Sequence, residues 1–172
     1  MPEAAKKLSK PMAYQTAVYI DTTPSGEGRK YERLGKGMTG LNKSQNPQVE
    51  TEQYIDDINA TSNVTALQSQ MAYTGSRVVG DPANDFIASV EDKIGDDCVT
   101  TIVKVNLWEQ NGVGVPGTQY KAKLYNVSVA AASTGDLAGG KSQTISGTIY
   151  INGDPIEGTF DTSTKAFSPA EA

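Results

Sequence analysis

From Cys98 to Phe160 the chain is built almost wholly from segments of strand character separated by short turns. Residues 98–108 carry Val99, Thr100, Thr101, Ile102, Val103, Val105 and Leu107, ending at Trp108, the β-branched and aromatic enrichment of a central strand. Asn111-Gly112, with Gly114, Pro116 and Gly117, then reads as a turn. Residues 120–132 return as a long strand in which Tyr120, Ala122, Leu124, Asn126 and Ser128 oppose Lys121, Lys123, Tyr125, Val127 and Val129. After a turn over residues 135–140, Ile145, Gly147, Ile149 and Ile151 alternate cleanly, and Asn152-Gly153 predicts a hairpin into residues 156–160. Long strands joined by tight turns pair antiparallel, because parallel pairing needs a crossover of a dozen residues or more.

The first half of the chain is more broken. Residues 13–21 alternate as a strand, closed by a Pro- and Gly-bearing turn over residues 22–28. Residues 30–41 place Tyr31, Leu34, Met38 and Leu41 at near-helical intervals, but Gly35, Gly37 and Gly40 make a helix costly, so short strand and loop are expected. Residues 47–55 form a strand with Val49, Thr51, Gln53 and Ile55 on one face, followed by a polar loop over residues 56–63 and another strand over 65–73. Asp81-Pro82-Ala83-Asn84-Asp85 is a helix start: N-cap, proline in the first turn, and an acid at the positive end. Phe86, Ile87, Val90 and Ile94 give that helix one apolar face, with Gly95 as its stop. The expected fold is mainly β, an antiparallel β-sandwich or partly closed barrel with one packed α-helix. One domain over residues 13–161 is flanked by a polar arm, residues 1–12, and a polar tail, residues 162–172, anchored by Phe167 and Pro169.

Composition narrows the chemistry. The chain has no histidine, so every His-dependent triad or metal triad is excluded and the prior for an enzyme is low. Cys98 stands alone, which rules out an internal disulfide and a Cys-rich zinc site, and it reads as packing. A net charge of −5 argues against gripping a nucleic acid through its phosphates. Leu, Ile, Val and Phe supply about 19% of residues, a thin core for a well-patterned chain, and one that points to burial against further subunits. The pairs Asp56-Asp57 and Asp96-Asp97 lack calcium-loop spacing and read as solvated loops. Gly35, Gly37 and Gly40 lack the Lys-Ser/Thr of a phosphate loop, and Lys121 and Lys123 beside Tyr125 read as a solvent-facing strand edge. Trp108 caps the core or meets another subunit. No cofactor is expected, and the arm has no apolar run to act as signal peptide or membrane span, so the chain is expected to fold in a cytoplasm.

The order of these features resembles the major tail tube proteins of long-tailed, siphovirus-like bacteriophages, within the wider group of tail and injection tubes. The resemblance rests on four features: the polar arm before Ala13-Tyr14-Gln15-Thr16-Ala17-Val18-Tyr19-Ile20; Glu52-Gln53-Tyr54-Ile55-Asp56-Asp57; the lone helix from Pro82; and the closing strands that reach Ile149-Tyr150-Ile151-Asn152-Gly153. It implies a virion protein that stacks as hexameric rings into a tube, with an acidic lumen through which DNA passes without specific binding. It further implies assembly in the host cytoplasm and contacts with tape-measure, tail-terminator and distal-tail proteins. By the same resemblance Lys6, Lys7, Lys10, Tyr54, Ile55, Asp56, Asp57, Ile58, Asn59 and Phe167 meet other subunits or rings, and Glu50, Glu52, Asp56 and Asp57 are candidates for the lumen. The alternative is a monomeric β-sandwich binding a cell-surface carbohydrate or protein around Trp108.

Overall fold

The computed structural model describes residues 10–26, 28–110, 117–133, 135 and 137–170. A 3-10 turn at Ala13–Gln15 leads into β1 (Thr16–Asp21), so the first strand starts three residues later than the alternation suggests. Then follow β2 (Tyr31–Arg33), β3 (Met38–Ser44), β4 (Pro47–Glu52), β5 (Thr61–Leu67), β6 (Gln70–Ser76), α1 (Pro82–Ser89), β7 (Val99–Gln110), β8 (Gln119–Ser133), β9 (Thr144–Asp161) and β10 (Ala166–Pro169). Seven strands run in the order β2-β1-β7-β8-β9-β6-β3, with antiparallel pairing throughout, and β10 also borders β9. The edge strands β2 and β3 are joined by only the four residues 34–37, which reach no more than about 18 Å. The sheet therefore curls until its two edges nearly meet, the partly closed barrel expected of this pattern.

Both faces of the curled sheet are buried, but at opposite ends. Along β8 the buried side chains are Ala122 and Leu124 on one face, then Tyr125, Val127 and Val129 on the other. The first core gathers Val18, Ile20, Ile102, Tyr125, Val127, Val129, Ile149, Met71 and Tyr73 beneath Ala83, Ile87 and Val90 at the helix. The second gathers Ala17, Tyr19, Tyr31, Val103, Val105, Ala122, Leu124 and Phe160, with Phe167 packed against it. Simple alternation along one strand serves two cores because the sheet twists between them.

Irregularities in pairing accommodate that twist. Asn152-Gly153 is not a hairpin turn: β9 runs unbroken from Thr144 to Asp161, and residues 153–155 bulge opposite Tyr125 with Gly153 at φ 72°. A Gly at positive φ suits a bulge as well as a tight turn, and here the pairing of β8 on both sides of it decides. β7 is likewise irregular between Val105 and Gln110, where Trp108 emerges 43% exposed. The predicted strand over 65–73 is two strands: residues 68 and 69 interrupt it, and β5 and β6 belong to different sheets. Residues 166–169 of the polar tail form β10, held by a tight loop in which Asp161 Oδ1 accepts from Ser163 N at 2.8 Å.

α1 begins as its sequence dictates, with Asp81 Oδ2 accepting from Asn84 N at 3.1 Å and Pro82 in the first turn. It ends at Ser89, short of the predicted Gly95 stop, because Asp92 takes φ 62° and turns the chain. Ile94 is consequently 86% exposed instead of facing the core. Buried Asn84 ties the helix to β6: its Nδ2 donates to the Ser76 carbonyl, and its Oδ1 accepts from Val78 N and Arg77 Nη1. Among the described residues no helix is long and apolar enough to cross a membrane.

Candidate functional site

One element stands outside both cores. β4 and β5 form a separate two-stranded hairpin in which every residue is exposed. Its register places Val49 opposite Val64 and Pro47 opposite Leu67, and Thr51 Oγ1 lies 3.0 Å from Ser62 Oγ. One face is thus an apolar stripe, with Val49, Val64 and Leu67 all more than half exposed. The other carries Gln48, Glu50 and Glu52 opposite Ala66, Asn63 and Thr61. An isolated hairpin is marginal in water, and exposed strand edges invite pairing, which makes this amphipathic ribbon a candidate interface.

The tip is ordered by its own polar groups. Gln53 Nε2 donates to the carbonyls of Asp57 and Ile58, each at 3.3 Å, Asp57 N donates to the Tyr54 carbonyl, and Tyr54 Oη donates to Glu52 Oε2 at 2.8 Å. Ile55 and Ile58 project almost fully into solvent. At the base, Asn46 takes φ 39°, its Nδ2 donates to the Gln68 carbonyl, and its own carbonyl accepts from Gln68 N, which turns the ribbon out of β3 and back into β6.

The structure thus brings Glu50, Glu52, Tyr54, Ile55, Asp56, Asp57, Ile58 and Asn59 together on one projection. Lys10 is exposed before the first turn, and Phe167 lies partly buried on β10 against the second core. Lys6 and Lys7 lie outside the described residues, as does the turn at Asn111-Gly112. The apolar stripe of Val49, Val64 and Leu67 is not apparent from the expected strands, where Leu67 falls in one expected to run from residue 65 to 73 and Val64 lies just before it. The signal was present: Pro47 and Leu67 bracket a run with no second buried face.

A groove of about 780 Å³ opens where the curled sheet fails to close, between β1 and β3. Val18, Leu34, Met38, Leu41 and Met71 line its floor, and Arg33, Lys43 and Lys104 stand around it with no acidic residue among the described lining. Lys43 Nζ donates to Tyr125 Oη at 3.1 Å and sits 4.4 Å above that ring. The Lys104 side chain, by contrast, has no hydrogen bond or ion pair among the described residues. Both flanking strands keep part of an edge open: β1 meets β2 over residues 19–21, with Val18 O also accepting from Leu34 N at 2.7 Å, and β3 pairs only with β6.

A second hollow, about 610 Å³, lies over the exposed end of the first face and is lined by Lys104, Lys121, Lys123, Glu109 and Glu157. Lys121 and Lys123 sit on a central strand here, not an edge, and Lys123 pairs with Glu157 at 2.7 Å, which raises the lysine's pKa and lowers that of the carboxylate. Gly37 takes φ 77° and lies where a Cβ would meet Val78 and the Ser76 carbonyl, so this glycine serves the close approach of β3 to β6. Cys98 is partly buried against the first core. No group of three or more potential metal-ligating residues occurs among the described residues.

No protein-family model matches the sequence, and no curated protein matches it. Among solved structures, a chain of the six-fold-symmetrised cryo-EM structure of the anti-feeding prophage baseplate shares the fold. The superposition has a TM-score of 0.51 at 8% identity and covers 91% of this chain and 99% of that one. The chain thus has the fold of a subunit from a phage-like baseplate.

Proposed function

We propose that the protein is a structural subunit of a phage tail, polymerising as stacked hexameric rings into a tube that conducts DNA. The observation that carries this reading is the β4–β5 hairpin, a wholly exposed ribbon with an apolar stripe on an otherwise well-packed body. The shared fold with a baseplate chain of six-fold symmetry supports it. Non-enzymatic work fits a chain without histidine.

In this account the hairpin makes the contact between subunits, and Glu50, Glu52, Asp56 and Asp57, which the resemblance offers as lumen candidates, are assigned to that contact instead. The channel wall is the solvent-facing side of β8, β9, β6 and β3, which carries Ser128, Ala130, Thr148, Tyr150, Ala72, Thr74 and Asn42. These seven residues carry no charge, and Asp154 follows them on the same side of β9. A wall without cations does not hold phosphates, and the chain's net charge of −5 keeps passing DNA unbound. Tail-end and tape-measure proteins are its expected partners, and the virion tail its location.

Light scattering coupled to size exclusion over rising protein concentration tests the reading. It predicts mass growing in ring-sized steps towards polymer, and a mass fixed at the monomer across the whole range, with or without an assembly seed, overturns it.

A further inference from the structure

The hairpin tip and the β1–β3 groove are complementary in both charge and apolarity. The tip presents Asp56 and Asp57 beside Ile55 and Ile58. The groove presents Arg33, Lys43 and Lys104 around Leu34, Met38 and Leu41. We propose that the groove between β1 and β3 is the receptor for the β4–β5 hairpin tip of a second copy of this chain. The inference rests on the assembly reading above and names the surface that reading leaves open.

A chain's own tip does not reach its own groove by this route. The base of the hairpin adjoins Lys43 at the rim, and six paired positions along the ribbon carry the tip about 20 Å away from it. The carboxylates enter beside the Lys104 ammonium, which has no side-chain partner among the described residues, and beside β3 and residues 16–18 of β1, whose free backbone N–H groups donate to an extended segment by strand addition. Ile55 and Ile58 leave water for the floor formed by Leu34, Met38 and Leu41. The competing occupant is residues 1–12, whose Lys6, Lys7 and Lys10 share the groove's sign and so suit it less.

The test uses the full chain with a photo-crosslinking amino acid in place of Ile55, irradiated under assembly conditions, with adducts mapped by mass spectrometry. Intermolecular adducts falling within residues 33–43 are expected. Adducts elsewhere, on residues 1–12 included, while rings or tubes still form, overturn the groove and leave the assembly reading standing. No assembly and no intermolecular adduct overturns both. A charge exchange gives a second readout: Arg33→Glu with Lys104→Glu raises the concentration needed for assembly about tenfold, from two lost ion pairs. Adding Asp56→Lys and Asp57→Lys to the same chain restores it. Assembly of the groove variant at the wild-type concentration, with a wild-type circular dichroism spectrum, contradicts the proposal.

Discussion

The rings of Tyr19 on β1 and Phe160 on β9 lie with centroids 4.4 Å apart, although β7 and β8 stand between their strands. Three inter-strand steps span about 14 Å in a flat sheet, so the contact measures how tightly this one curls. Tyr31 of β2 meets the same Phe160 ring edge-on at 5.9 Å, and Lys165 beyond β9 pairs with Glu32 of β2 at 2.5 Å. The second core closes on one aromatic side chain that is wholly buried.

Phe160→Ala should therefore cost about 3–5 kcal/mol of folding stability, as expected for a buried aromatic whose neighbours cannot collapse into the space. Urea denaturation followed by tryptophan fluorescence measures it. A loss below about 1 kcal/mol, the range of a surface change, would show that the curl is held elsewhere.

Tyr73 is buried to 1% in the first core, its hydroxyl has no partner among the described residues, and desolvation pushes its pKa up to about 12. The folded state therefore holds the proton more tightly than the unfolded chain, whose tyrosine titrates near pH 10. Stability linked to this group is complete below about pH 10 and falls as pH rises from there towards 12. Tyr73→Phe should leave neutral-pH stability no lower than wild type, since it removes an unsatisfied hydroxyl, and should flatten the alkaline decline. Melting curves between pH 8 and about 12 check both, and an unchanged alkaline slope contradicts the assignment.

Asn84 is wholly buried and accepts from Arg77 and Val78 while donating to the Ser76 carbonyl. Asn84→Ala strands those groups and should cost about 2–4 kcal/mol, above a neutral hydrogen bond because one partner is charged. Thermal denaturation reads the loss, and a melting temperature equal to wild type contradicts it.

Much of this architecture is written in local patterns, and what is not follows from tertiary pairing. Alternation along residues 120–132 located β8, and Asp81-Pro82 located the start of α1, because a strand's period and a helix cap are short-range properties. Asn152-Gly153 misled because the same dipeptide serves a bulge when β8 continues past it, which no local window reveals. Ile94 looked like a fourth core position until Asp92 ended the turn. In the hairpin the acidic tip was legible in Asp56-Asp57, whereas Arg33, Lys43 and Lys104 come from three strands and meet only through the curl.

Replacing residues 47–67 by a short turn should leave the melting temperature of the body unchanged, because no residue of either hairpin strand is buried. The same deletion should abolish growth beyond the smallest oligomer. Scanning calorimetry beside sedimentation velocity separates the two effects, and a deleted protein that polymerises like wild type removes the hairpin from the account.

Negative-stain electron microscopy of the purified full chain at increasing concentration addresses the central claim most directly. The account predicts six-fold rings and hollow filaments with a channel wide enough for a DNA duplex. Discrete compact particles of monomer size at the highest concentration, seeded or not, would contradict it.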